Sequence, residues 1–274
     1  FAEAAELPGY DLGLKQQGYL FCTTDETGLQ RQQEWVTLQH GWGLDDVELL
    51  PGDEVRYRFP HVAPTVLQAR YRARDGWLKP KALTMGYARA SGATICLETP
   101  ATGFLKQGDR IVGVETPLGN IATETVVAVP GAYTNALINP LGLDFGLIAN
   151  RVQIAIMRRT ADDTSHPVYI DGPNGTWLRP EGEFGTLTGV LRDQLGVDPD
   201  YYDEGVDFDY IKDSRVRCAR RRPALTNAFM RGGWAGVITM SPDSHAIIDQ
   251  LAPYAGLYAI LGDSGTNFKT APAI

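Results

Sequence analysis

Gly262 to Ile274 reads GDSGTNFKTAPAI, a glycine-rich turn that follows the apolar run Leu257 to Ile260 and places a lysine, Lys269, at its far edge. Glycines flanking a serine after a short strand let backbone N–H groups come close to a ligand and point at its oxygens. That geometry suits a phosphate or the polar edge of a ring. Pro272, beyond Thr270, suits the start of a helix whose unpaired N–H groups face the same ligand. An ordinary strand-to-helix turn uses the same residues, so the loop fixes the local fold and leaves the ligand open.

Upstream, Met230 to Asp249 (MRGGWAGVITMSPDSHAIID) leads back towards this loop. Arg151 to Met157, Pro167 to Ile170, Thr176 to Arg179 and Gly185 to Val190 read as strands joined by Gly, Pro, Asn and Asp turns, a second sheet covering the first unit. A helix with Phe208, Ile211 and Cys218 on one face runs until Pro223. From Ala93 the pattern is ATICLE, RIVGVET and ETVVAVPGAYTN, three further strands. The run Val126 to Val129 is continuously apolar, as in a buried parallel strand, and ends in Pro130-Gly131-Ala132. Ligands of α/β sheets sit at such strand ends, although a plain core strand with a glycine turn reads the same. Nearer the start, Gly18 to Thr23 reads as a strand. Thr24 caps a helix that continues to Gly41 with Leu29 and Val36 at helical spacing. Pro51 to Pro64 is turn-rich, and Pro80 opens a helix with Leu83, Tyr87 and Ala90 on one face, closed by Gly92. The fold class is α/β, of the mixed α+β kind, with strands outnumbering helices.

The 274 residues, 43% of them hydrophobic and 21% charged, suffice for a packed core in one or two domains. A net charge of -8 argues against nucleic acid or an anionic membrane as partner. The basic run Arg220 to Arg222 is expected on a solvated helix end. Cys22, Cys96 and Cys218 are far apart and odd in number, which indicates neither a disulfide framework nor a metal cluster. A reducing, cytoplasmic compartment is the expectation. No apolar run approaches the roughly 20 residues of a membrane span.

The ordered motifs GYLFCTTDE, DGWLKPKALTMGYARASGATI, IVGVETPLGNIATETVVAVPGAYTN, WLRPEG, RGGWAGVITMSPDSHAIID and GDSGTNFKTAPAI resemble those of the FAD-dependent amine oxidoreductases. These form the D-amino-acid oxidase superfamily, and the resemblance, from Gly18 to Ile274, is closest to its sarcosine and dimethylglycine oxidase branch. It implies an incomplete FAD-binding Rossmann-type domain, from residues 73–150 and 246–274, and a β-sheet-rich substrate domain, from residues 1–72 and 151–245. It also implies that Pro130, Gly131 and Ala132 lie beside the FAD diphosphate and that the backbone of Ala101 reads adenine. Gly262, Asp263, Ser264, Gly265, Thr266, Asn267 and Phe268 would follow the pyrimidine edge of the flavin, where N–H groups and a helix dipole stabilise negative charge on the reduced ring. Lys269 matches a lysine that anchors the substrate carboxylate, and Arg179 and His245 are candidates for lining the same pocket. His166 is expected to be structural. The implied reaction is oxidation of a secondary or tertiary amino acid by hydride transfer to flavin, with oxygen or an electron-transfer acceptor as oxidant, in a possible oligomer.

The sequence departs from the family pattern at defined places. Thr266 and Asn267 replace the histidine and glycine of the usual S-G-H-G-F-K motif. Ala235 stands in for the cysteine that monomeric sarcosine oxidases attach to flavin, which implies FAD that is non-covalent at this position. Leu187 replaces a lysine that activates oxygen, and Ile238 replaces a carboxylate-binding arginine of glycine oxidases. No G-x-G-x-x-G follows an opening strand. The expectation is therefore a fragment of a longer flavoenzyme that binds FAD weakly and has little turnover alone. A non-catalytic substrate-domain module or subunit is the alternative.

Overall fold

The computed structural model describes residues 11–163 and 165–271, so the helix start expected at Pro272 lies outside the described residues. The first elements are β1 (Tyr19–Thr23), α1 (Glu26–Gly41), β2 (Glu48–Pro51), α2 (Gly52–Arg58), β3 (Gln68–Arg72) and α3 (Pro80–Ala90). There follow β4 (Gly103–Gln107), β5 (Arg110–Glu115), β6 (Ile121–Ala122), β7 (Val126–Ala128) and α4 (Thr134–Ile138). The last part holds β8 (Ile148–Arg158), β9 (Val168–Asp171), β10 (Thr176–Glu181), β11 (Gly185–Val190), α5 (Phe208–Arg221), β12 (Phe229–Met240), β13 (Ile247–Gln250), β14 (Leu257–Leu261) and α6 (Asn267–Thr270).

This is a mixed α/β fold dominated by one eight-stranded sheet of order β12-β8-β11-β10-β9-β1-β3-β2. Period-2 alternation gives each strand two different faces. Leu20, Cys22, Ala69, Tyr169 and Leu178 point to one face and pack with Val55 of α2 and Cys218 of α5. Each of the larger aliphatic side chains, Leu20, Val55 and Leu178, contributes about 1.5–3 kcal/mol by leaving water. A second core forms where Ile111, Ala128, Ile138, Leu147, Leu257 and Leu261 meet, between α4 and the small sheets β13-β14-β7 and β4-β5-β6.

Several local expectations are corrected. Asp25, not Thr24, is the N-cap of α1, its carboxylate accepting from Gly28 N–H at 2.7 Å. The segment after Pro51 contains the helix α2. ATICLE forms no strand and is exposed, because no neighbouring strand pairs with it, and the meander opens instead at β4. On α3 the buried positions are Leu83 and Gly86, whereas Tyr87 is exposed. On α5 they are Tyr210, Ser214 and Cys218, whereas Phe208 is 69% exposed. Of Val126 to Val129 only Ala128 is buried, since the outer edge of β7 has no partner among the described residues.

The largest correction concerns Arg222, which is 1% exposed rather than solvated. Its guanidinium pairs with Asp163 in a bidentate contact, and Arg221 Nε stands 2.5 Å from Asp171 Oδ2. Two ions leaving water together need each other, and removing one strands the other. His166 is buried beside this pair. Its Nδ1 lies 2.7 Å from the Pro167 carbonyl and its Nε2 2.9 Å from Thr186 Oγ1. A carbonyl only accepts, so Nδ1 carries the proton and Thr186 donates to Nε2. Both contacts hold the neutral ring in place.

Burial, with the positive charges of Arg222 and Arg159, pushes the His166 pKa down to about 3. An unfolded histidine titrates near ~6.5, so between the two values the unfolded chain binds a proton that the folded chain refuses. Stability is thus fully present above ~6.5 and falls with pH below it, by about 1.4 kcal/mol per unit from this group. Urea unfolding at neutral pH and in mild acid should show this slope, and His166→Gln should lose that part of it.

Candidate cofactor and substrate site

Strands β7 and β14 run parallel, with Val126 opposite Leu257, Val127 opposite Tyr258 and Ala128 opposite Ala259. Their C-terminal ends therefore open on the same side. After β7 the chain turns through Pro130 and Gly131, and after β14 through Gly262. Between the two turns lies a cleft of about 430 Å³ walled by Val129, Gly131, Ile260, Gly262, Asp263 and Phe268. Gly131 has φ +56°, and a Cβ added there would meet only open space. A backbone of this kind leaves room for close approach by a ligand. The structure thus brings Gly131, Gly262, Asp263 and Phe268 to one wall, with Pro130 and Ala132 flanking Gly131.

The glycine loop is bolted to the large sheet. Ser264 N–H donates to Thr239 O at 2.9 Å, and Ser241 N–H donates to Ser264 Oγ at 3.1 Å, both partners lying at the end of β12. Three positive φ angles, at Gly262 (+60°), Ser264 (+49°) and Gly265 (+75°), make this reversal possible. A side chain at Gly262 would strike Leu147 at 2.7 Å, so the loop packs as closely as glycine permits. The Ser264 N–H expected to face a ligand is consequently spent on Thr239. Thr266 N–H likewise goes to Asp263 O. Helix α6 is a single turn, from Asn267 to Thr270, and supplies little of the dipole expected behind the loop.

Beside the loop, at β12 and the adjoining part of β8, one face of the large sheet is partly exposed. Ile238 points to it, and a Cβ on Gly265 would sit 3.4 Å from Ile238 Cδ1. Register places Ile238 opposite Asn150, Gly236 opposite Val152 and Trp234 opposite Ile154 on this face, while Arg151, Gln153, Ala155 and Met157 alternate to the buried side. Farther across it, Ile156 is opposite Leu187 and Leu187 opposite Arg179. Trp234 is 42% exposed, and a Cβ on Gly236 would meet nothing within 4 Å. This apolar platform suits a flat ring. Ala235 is 7% exposed and in register with Gln153, so its Cβ points away from the platform. The position that faces it is the next one, Gly236. The sequence signal for the platform is the recurrence of glycine, at Gly232, Gly233 and Gly236, within one long strand.

The remaining expected residues are dispersed. Lys269 is exposed on α6, next to Phe268 of the cleft. Arg179 lies on β10, three strands from β12, 4.5 Å over the Trp77 ring and 2.8 Å from Glu181 Oε2. His245 is exposed and folds back on its own loop, Nδ1 lying 2.8 Å from Asp243 O. Ala101 is exposed just before β4 and is not part of the cleft wall. Among the described residues no cluster of His, Cys, Asp and Glu could hold a metal ion, and no helix is long and apolar enough to cross a membrane.

Comparison with known proteins gives the family and the fold. A family model described as DAO, FAD dependent oxidoreductase, matches residues 1–274. Glycine oxidase of Pseudomonas aeruginosa is 27% identical over 64% of this chain and 46% of its own length. Human mitochondrial dimethylglycine dehydrogenase is 24% identical over 94% of this chain and 32% of its own length. The chain therefore spans only about a third to a half of these curated relatives. The crystal structure of L-proline dehydrogenase from P. horikoshii superposes with a TM-score of 0.89 at 25% identity, covering 99% of this chain and 73% of that one.

Ser264→Ala removes the hydroxyl and keeps the Ser264 N–H bond to Thr239 O, so it should loosen the attachment at Ser241 without unfolding the protein. Losing one hydrogen bond of about 1 kcal/mol should speed hydrogen exchange at the Ser241 amide about fivefold. An unchanged rate at Ser241, read by NMR, would show that the loop is held by other means.

Proposed function

The chain belongs to the FAD-dependent oxidoreductase family, and from that premise we propose that it forms the flavin-facing and substrate-facing walls of an enzyme that oxidises the C–N bond of a secondary or tertiary amino acid such as sarcosine or dimethylglycine. One observation carries the reading. The glycine loop that walls the β7/β14 cleft is the same loop that borders the apolar platform, so a ligand with a polar tail and a flat ring spans both. The space present fits FAD, with open backbone at Gly131 and a glycine, Gly236, where a side chain would occupy the ring's place.

On this reading FAD held at these walls would supply the hydride acceptor for the carbon next to nitrogen. The chain's own residues position and screen. Val152, Ile154 and Trp234 keep water from one face of the ring, and Ile238 fixes the loop beside it. The Lys269 ammonium anchors the substrate carboxylate, which fixes the reacting carbon by one charged contact. No covalent bond to FAD forms at Ala235 or Gly236, because neither offers a nucleophile. Leu187, 6% exposed on the platform row, offers no cation to oxygen, so oxygen and an electron carrier both remain in the proposal as oxidants.

The phosphate half of the cofactor needs more than this chain displays. The outer edge of β7 is unpaired among the described residues, and Val127 and Val129 are 59% and 62% exposed. A further parallel strand ending in a glycine fingerprint fits there, and residues 73–150 with 246–274 are then its domain.

Two outcomes test the proposal. The purified chain should take up FAD weakly, showing a shifted flavin absorption band only at high FAD concentration and little turnover; a band unshifted from that of free FAD at every concentration would favour a non-catalytic module. In the enzyme completed by the fingerprint segment, Lys269→Ala should raise KM for sarcosine or dimethylglycine at least about tenfold, the loss expected for one charged contact, with kcat changed far less. An unchanged KM would remove Lys269 as the anchor.

A further inference from the structure

At the opposite end of the large sheet from β12, α1 stands over β1, β3 and β9 without closing on them. The reason lies in its inward residues. Gln32, Val36 and Gln39 recur at helical spacing, and of these only Val36 is apolar and buried. Gln32 Nε2 donates to Phe21 O at 2.6 Å, and Gln39 Oε1 accepts from Arg70 Nη1 at 3.0 Å. Two amide side chains thus hold the helix off the sheet. At its first turn the helix comes close again, where a Cβ on Gly28 would lie 1.8 Å from Thr23 Oγ1. Between these supports is a cavity of about 790 Å³, within the usual range of small-molecule sites.

Its walls combine an apolar body with charge. Phe21, Ile170, Pro173 and Trp35 provide the apolar side, Arg31 stands among them, and Arg70 lies with its guanidinium 4.1 Å over the Phe21 ring. Burial disfavours the charge on Arg70, yet among the described residues it has no ion-pair partner. Asp75 acts on it only at longer range and is held by Arg72 at 2.7 Å. Thr23, 3% exposed, also borders the cavity, and its hydroxyl has no hydrogen-bond partner. A partly desolvated guanidinium whose one side-chain acceptor is the neutral amide of Gln39 is matched in charge by a carboxylate. Asp25 at the rim is engaged with Gly28 N–H and opposes entry of an anion only from the outside.

We infer that this cavity is a second ligand site, for a small carboxylic acid with an apolar body. The carboxylate sits on Arg70, with Arg31 adding charge at the rim, and the apolar part lies between Phe21, Ile170 and Trp35. The site shares no wall residue with the β7/β14 cleft and is independent of the reading given above.

Phenylacetate added to the isotope-labelled chain serves as probe. Saturable NMR shifts are expected at the Thr23 and Gly28 amides and the Arg70 Nε–H, with Gly131 and Gly262 unmoved. Arg70→Met should weaken binding at least about tenfold, as losing a charged hydrogen bond does, and Arg31→Met by less. Phenylacetamide, the neutral counterpart, should bind the unaltered chain at least about tenfold more weakly, which tests the charge without any substitution. No saturable shift at these groups, shifts confined to Gly131 and Gly262, or equal binding of the acid and the amide would overturn the inference.

Discussion

A single serine ties the two halves of the site together. Ser264 gives its N–H to Thr239 and takes the N–H of Ser241 on its hydroxyl, so the turn after β14 and the end of β12 move as one. The small sheet contributes the β7/β14 cleft, and the large sheet contributes the platform of Trp234, Gly236 and Ile154. Neither wall alone describes a ligand; their fixed angle does. A loop that supplied more N–H groups to a ligand would have fewer to spend on this attachment. Rigidity of the loop and its capacity as an anion cradle are therefore in direct competition here.

The charges are distributed to match. The most deeply buried ionic cluster, Arg222 with Asp163 beside His166, lies among the core contacts of α5 and β9 and is matched internally. The cleft and platform are poor in ionisable groups, and Lys269 is the cation beside them. That is the distribution expected where the cofactor carries the reactive atoms and the protein supplies position and exclusion of water. By contrast, Arg70 is a cation held in a cavity with nothing of opposite sign against it.

The strands of the large sheet were legible because β8, β9, β10 and β11 alternate or run apolar between turn residues. What the sequence could not express was pairing. ATICLE has strand composition but no neighbour, and Val127 and Val129 look buried in sequence but border an open edge. The buried stripe of α5 was hidden by Ser214, a polar residue between Tyr210 and Cys218 that packs inside. Arg222 reads as a helix-end cation because its partner, Asp163, lies 59 residues away. At the site, the glycine loop and the Pro130-Gly131-Ala132 turn were legible as motifs. The platform was not, since only the register of β12 against β8 reveals that Gly236 faces outward and Ala235 inward.

Hydrogen exchange by mass spectrometry on the chain, with and without saturating FAD, examines the shared site most directly. Residues 129–133, 234–238 and 262–268 should gain protection together, because one ligand spans the cleft and the platform. Protection of the cleft segments with no change at 234–238, or of none of the three, would contradict a flavin lying across both.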